Sequence, residues 1–129
     1  MYDSAEPAGP SGIRVVSWAS ADGHDIGYLK MLAHKICEHP STVALLGSGS
    51  GESAHVVFEK SHDVPIDMAK LLREVLPSVD GKGGGTHQIA QGGGRRPERL
   101  HHAISQAAAI VSRAALDIEA ETAASADRH

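Results

Sequence analysis

An α/β domain, with a mixed β-sheet of about four strands covered by three helices in the order β-α-β-β-α-β-α, is the fold this sequence predicts. Three observations predict it. Short runs rich in β-branched residues alternate with longer stretches whose apolar positions recur every three or four residues. Pro, Gly or Asp bounds each of these segments. A chain of 129 residues with 41% hydrophobic content can bury one core, so a single domain is expected.

IRVVSWA, from Ile13, has the composition of a strand, and Asp22 and Gly23 after it can turn the chain. From Asp25 the positions Ile26, Leu29, Leu32, Ala33 and Ile36 keep helical spacing until Pro40. TVALLGS, from Thr42, reads as a central strand and SAHVVFEK, from Ser53, as another, with GSGSGES between them as a hairpin-like loop. The run GSGESA from Gly49 matches the GxGxxA dinucleotide pattern only formally, because it leads into β-branched residues where that motif must open a helix. Pro65 suits the first turn of a second helix, striped by Ile66, Ala69, Leu72, Val75 and Leu76 and stopped by Pro77. In GKGGGTHQIAQGGGRR, residues 81 to 96, HQIAQ is long enough for one short strand between two glycine clusters. Pro97 opens the last helix, where Leu100, Ile104, Ala107, Val111, Ala114 and Ile118 step by four and three.

The ends carry little pattern. Residues 1–11 read as a disordered leader, 12–118 as the domain and 119–129 as a loose tail. No apolar run approaches the length of a membrane span, and Cys37 alone cannot form an intramolecular disulfide. A cytoplasmic location without membrane association is the expectation.

The formal charge of -4 argues against a polyanion partner only on average. Between residues 81 and 102 stand Lys82, Arg95, Arg96 and Arg99 with His87, His101 and His102, against Glu98 alone. The acids gather elsewhere, at Asp3, Glu6, Asp117, Glu119, Glu121 and Asp127. The segment is a basic island on an acidic body. Successive glycines can hold positive φ and point several N–H groups into one anion-binding concavity, which GKGGG would supply beside Lys82. The second cluster runs into Arg95, Arg96 and the N-terminus of the last helix. Arginines there oppose the helix dipole by about 0.3 to 1 kcal/mol each, a conflict that a bound phosphate removes. A solvated surface loop is the alternative. A Walker motif does not occur, since Gly83 and not Ser or Thr follows Lys82.

GKGGGTHQIAQGGG resembles the signature of the DHH-associated domain, in the form found at the C-terminus of alanyl-tRNA synthetase and in related Ala-tRNA editing proteins. The likeness runs from about Ile13 to Ala115, and Lys82, Gly83, Gly84, Gly85, Ala90, Gln91, Gly92 and Gly93 match the pattern. Thr86 and His87 stand where the family usually has Arg and Pro, which removes one expected cation. The resemblance implies a non-catalytic accessory domain that holds tRNA, tRNA(Ala) first of all, for a catalytic domain on the same parent chain, with a homodimer as a further implication; an alternative is that the domain is chiefly a dimerisation module. A second form of the domain accompanies DHH phosphoesterases, where a glycine and histidine motif binds the substrate strand; His87 after GGGT is faintly similar, but AlaGln before the second cluster favours the synthetase branch.

The expected binding set is therefore Lys82, Gly83, Gly84, Gly85, Thr86, His87, Gln91, Gly92, Gly93, Gly94, Arg95, Arg96 and Arg99, without cofactor. The paired HxxxH and CxxxH zinc motifs of the editing enzymes are absent, and His34, Cys37 and His39 do not share one helix face, so no metal is expected. Ser41, Ser48, Ser50 and Ser53 lack a nucleophile elbow. The alanine stripe from Ala103 to Ala115 reads as a face packed on the sheet, with helix pairing between two copies as the alternative. Tyr2, Trp18, Tyr28 and Phe58 are the aromatic residues, and none lies in the island. Without stacking platforms there, folded RNA is preferred over a flexible single strand.

Overall fold

The structure, a computed structural model, describes the backbone of residues 5–7 and 13–126 and the side chains of 13–116. Six strands form one sheet in the order β1-β2-β3-β4-β6-β5. They are β1 (Ala5–Pro7), β2 (Arg14–Ser20), β3 (Thr42–Ser50), β4 (Ser53–Lys60), β5 (Gly81–Gly85) and β6 (Ile89–Gly94). Only β2 and β3 pair in parallel, as the connection through helix α1 (Ile26–Ile36) requires; all other pairs are antiparallel. The mixed sheet and three helices agree with the expectation of about four strands and three helices, and among the described residues the sheet has six strands. β1 lies within the segment expected to be a disordered leader, the rest of which, apart from that strand, lies outside the described residues. The other addition comes from the glycine segment, which supplies two strands instead of one.

β3 explains the layering. Val43 and Leu45 join one apolar cluster with helices α2 (Met68–Val75) and α3 (Leu100–Ala126), while Ala44 and Leu46 join a second under α1. Because both faces are covered, the strand is a continuous apolar run, and each large side chain contributes roughly 1.5–3 kcal/mol of burial. The expected GSGSGES loop is mostly strand. β3 runs to Ser50 and pairs with Ser53, leaving Gly51 and Glu52 as the turn, with Gly51 at φ 59°. A Cβ at Gly47 would lie 2.8 Å from Leu100 Cδ1, and one at Gly49 2.8 Å from Pro97 Cβ. These glycines let the start of α3 sit directly on the strand.

α1 begins where expected, with the Asp25 carboxylate accepting the Tyr28 N–H at 2.8 Å. α2 begins later than Pro65, at a cap made by Asp67, which accepts the Lys70 N–H at 3.1 Å. A 3-10 turn over Leu76–Val79 follows it and holds Pro77 in its first positions. The alanine stripe packs as expected: Leu100, Ala103, Ile104, Ala107, Val111 and Ala115 are buried against the sheet. α3 continues past the expected boundary at residue 118 to Ala126; residues 127–129 lie outside the described part.

Glu59, 5% exposed, sits on the α1 face of β4 with Oε1 unbonded and Oε2 3.3 Å from His34 Nδ1. Burial raises its pKa above the ordinary 4.5, and the nearby His34 opposes that only in part. A raised carboxyl pKa means the unfolded chain releases this proton first. The contribution of Glu59 is thus complete below pH 4.5 and is lost as pH rises through the folded value. Glu59→Gln is therefore expected to raise Tm at pH 7.5 and to leave it unchanged near pH 4, a difference that paired thermal melts measure.

Candidate nucleic-acid interface

The glycine segment is a β-hairpin at the sheet edge, with Lys82 opposite Gly93, Gly83 opposite Gly92 and Gly84 opposite Gln91. None of its glycines has positive φ, since Gly23 and Gly51 are the glycines that do among the described residues. The expected concavity of left-handed glycines is therefore replaced by extended backbone. What requires glycine here is close approach. A Cβ at Gly92 would lie 3.1 Å from Leu76 Cδ2, and one at Gly94 would run into the Val79 carbonyl and lie 2.8 Å from its Cγ2. The 3-10 turn packs straight onto the bare ribbon.

Val79 also sets the arginines. Its carbonyl accepts the N–H groups of Arg95 at 2.9 Å and Arg96 at 3.1 Å, so those two donors are spent inside the fold. The hairpin turn is spent likewise: the Thr86 and His87 carbonyls accept the Ala69 and Met68 N–H groups at the start of α2, at 3.2 and 3.0 Å. His87 Nδ1 lies 3.1 Å from Asp67 Oδ2. The Lys70 backbone N–H, first, and His87 hold the Asp67 carboxyl below its usual pKa. Thr86 and His87 thus brace α2 at the far end of the hairpin.

Side-chain alternation leaves one face of the hairpin open. His55 pairs with Gly93, and Gly93 with Lys82, so these three form a row across β4, β6 and β5. Gln91 and Gly84 form the next row, continuing from Val57, which packs under α1. α1 reaches the rim of this face through Ile26 but does not cover it. A groove of about 560 Å³ lined by Ser53, Ala54, His55, Asp80, Lys82, Gly93, Gly94 and Arg95 adjoins a shallower one of about 420 Å³ that holds Gly83, Gly84, Gln91 and Gly92. Lys82 and Arg95 against Asp80 leave the larger groove with an excess of one positive charge. Asp80 itself is there because it ends the 3-10 turn at φ 52°, its N–H donating to Leu76 and Pro77 carbonyls.

The remaining expected residues lie apart. Arg96 and Arg99 are exposed, and Arg96 Nη1 is 3.9 Å from Glu98 Oε1. Pro97 opens a 3-10 turn, Pro97–Arg99, and not α3 itself as expected; Pro97, Glu98 and His101 line a separate groove of about 480 Å³ with Ser20, Gly49 and Ser50. The expectation that the glycine clusters and the start of the last helix converge on one anion pocket is thus not met: they line separate grooves. His55 and Asp80 also line the Lys82 groove although the sequence did not mark them, because only strand register and the 3-10 turn bring them beside Lys82.

Among the described residues no cluster of three His, Cys, Asp or Glu side chains could hold a metal. The Cys37 thiol is pushed up to about 12, mainly by burial and then by Glu59, which makes it a poor nucleophile. His24 stacks on Tyr28 at a ring-centroid distance of 4.4 Å and meets Trp18 in a tilted contact at 5.6 Å, beside the start of α1. Among the described residues no helix is long and apolar enough to cross a membrane.

The class these features define is a mixed α/β domain with an open, cation-flanked glycine hairpin at its sheet edge. The chain belongs to the DHHA1 domain family, which matches residues 15–113, as the glycine motif led us to expect. Among curated proteins it is similar to the alanine--tRNA ligase of Desulforamulus reducens, 36% identical over 88 residues, which are 66% of this chain and 10% of that protein. It is also similar to the alanyl-tRNA editing protein AlaX-L of Pyrococcus horikoshii, 38% identical over 55 residues, 43% of this chain and 13% of that one. The chain thus spans about a tenth of the length of these curated relatives. Its fold is similar to that of the C-Ala domain of Aquifex aeolicus alanyl-tRNA synthetase, with a TM-score of 0.71 at 23% identity over 78% of this chain and 92% of that one.

Proposed function

We propose that this domain binds tRNA, tRNA(Ala) first of all, on the open hairpin face, and serves as a non-catalytic holding module for an aminoacylation or editing domain of the same parent chain. The observation that carries the reading is the groove in which Lys82 and Arg95 flank the bare backbone of Gly93 and Gly94. Exposed cations beside a backbone without side chains let a phosphate strand approach closely while the charges neutralise it. The family relation supplies the substrate class, since the alanine--tRNA ligase and the editing protein act in the chemistry of that tRNA by name.

Binding of a tRNA(Ala) transcript, followed by fluorescence anisotropy from low to high salt, tests the reading. Three to five phosphate contacts predict a slope of log K against log[salt] of about −2 to −4.5. A flat salt dependence, or no binding at low salt, would overturn it. The phosphoesterase alternative rested on His87, whose imidazole is engaged by Asp67, away from Lys82 and Arg95. Stronger competition by short single-stranded oligonucleotides than by tRNA would restore it.

A further inference from the structure

We infer that Gln91 is a specificity residue that reads the ribose 2′-hydroxyl, and so makes the hairpin face prefer RNA as such; this rests on the nucleic-acid reading above. Gln91 is exposed on the open face, and its carboxamide has no hydrogen-bond partner among the described residues. Directly opposite is Gly84, where a Cβ would meet nothing within 4 Å. Other hairpin glycines are required by Leu76, Val79 or the neighbouring strand; the chain's own packing makes no such demand at Gly84. The space beside the carboxamide is therefore open to an incoming group.

Position identifies the group. Lys82 pairs with Gly93, two residues from Gln91 on the same face, so Lys82 and Gln91 are diagonal neighbours about 7–8 Å apart, within reach of long side chains. If Lys82 takes a phosphate, the carboxamide falls within reach of the sugar next to it. A 2′-hydroxyl is both donor and acceptor, and a carboxamide is its complement in both senses. In folded RNA these hydroxyls line the shallow minor groove while the bases are turned inward. Ile26 is the single large apolar side chain lining this shallow groove and His55 its one ring, so no Phe, Tyr or Trp offers a splayed base a platform there.

The test compares a tRNA(Ala) transcript with the same transcript carrying 2′-fluoro nucleotides, which keep the sugar pucker and remove the hydroxyl. The wild-type chain is expected to bind the hydroxyl form about three- to tenfold more tightly, the value of one or two hydrogen bonds. Gln91→Ala is expected to bring that ratio to about one by weakening the hydroxyl form alone, with the salt slope unchanged. A ratio near one in the wild type, or a preference that survives in Gln91→Ala, overturns the inference while leaving phosphate binding intact. Absence of binding to either transcript removes the proposed function and this inference with it.

Discussion

Reversing the charge of Lys82 and Arg95 together, as Lys82→Glu with Arg95→Glu, is expected to weaken tRNA binding at least about a hundredfold. Each side chain is exposed and lines the same groove, so each is free to make a charge-assisted contact with phosphate. Losing two such contacts costs about 3–6 kcal/mol, before the added repulsion. Neither side chain packs in the core, so Tm should move by no more than a few degrees. Arg96→Glu is the informative control. Its guanidinium lies toward Glu98 rather than in the groove, and a loss of only a few-fold is expected. Anisotropy titrations of the wild type and the two variants against one tRNA separate a groove that grips from a diffuse basic patch, which would lose affinity in proportion to the number of charges reversed.

Gly94→Ala carries the largest expected effect on the fold. The added methyl meets the carbonyl of Val79, a backbone atom that cannot rotate away, and lies 2.8 Å from Val79 Cγ2. The same carbonyl holds the Arg95 and Arg96 N–H groups, so relief of the clash also releases both arginines. Overpacking of this kind costs about 2–3 kcal/mol, which for a domain of this size lowers Tm by about 10 °C. Gly84→Ala, with open space at its Cβ, should stay within about 2 °C of the parent. Equal losses at the two positions would show that glycine is demanded by chain flexibility and not by the approach of the 3-10 turn.

The contrast between those glycines shows what the sequence could carry. The stripes of α1 and α3 were legible because one-sided burial writes a period of three and four into the chain, and Leu29, Ala33, Leu100 and Ala107 are buried where that period puts them. The family was legible because GKGGG and AQGGG are an unusual pair. Of the strands they form only the IAQ part of β6 was legible, since glycine has low β-propensity and takes strand geometry here from its neighbours: β4 on one side and the Leu76–Val79 turn below. β3 was shortened for the same reason, because Gly47 and Gly49 look like loop residues until Leu100 and Pro97 pack on them. His55 and Asp80 stayed hidden because nothing local marks them. One reaches Lys82 through two strand pairings, the other through a left-handed residue ending a 3-10 turn.

Amide chemical shifts of the folded domain, recorded as tRNA(Ala) is added, test directly whether the open hairpin face is where RNA lies. The largest changes are expected at Lys82, Gly84, Gln91, Gly93 and Arg95, with His55 following and the Thr86–His87 turn little affected. Changes confined to the groove of Pro97, Glu98 and His101, or to the far end of the sheet, would place the RNA elsewhere and contradict the account.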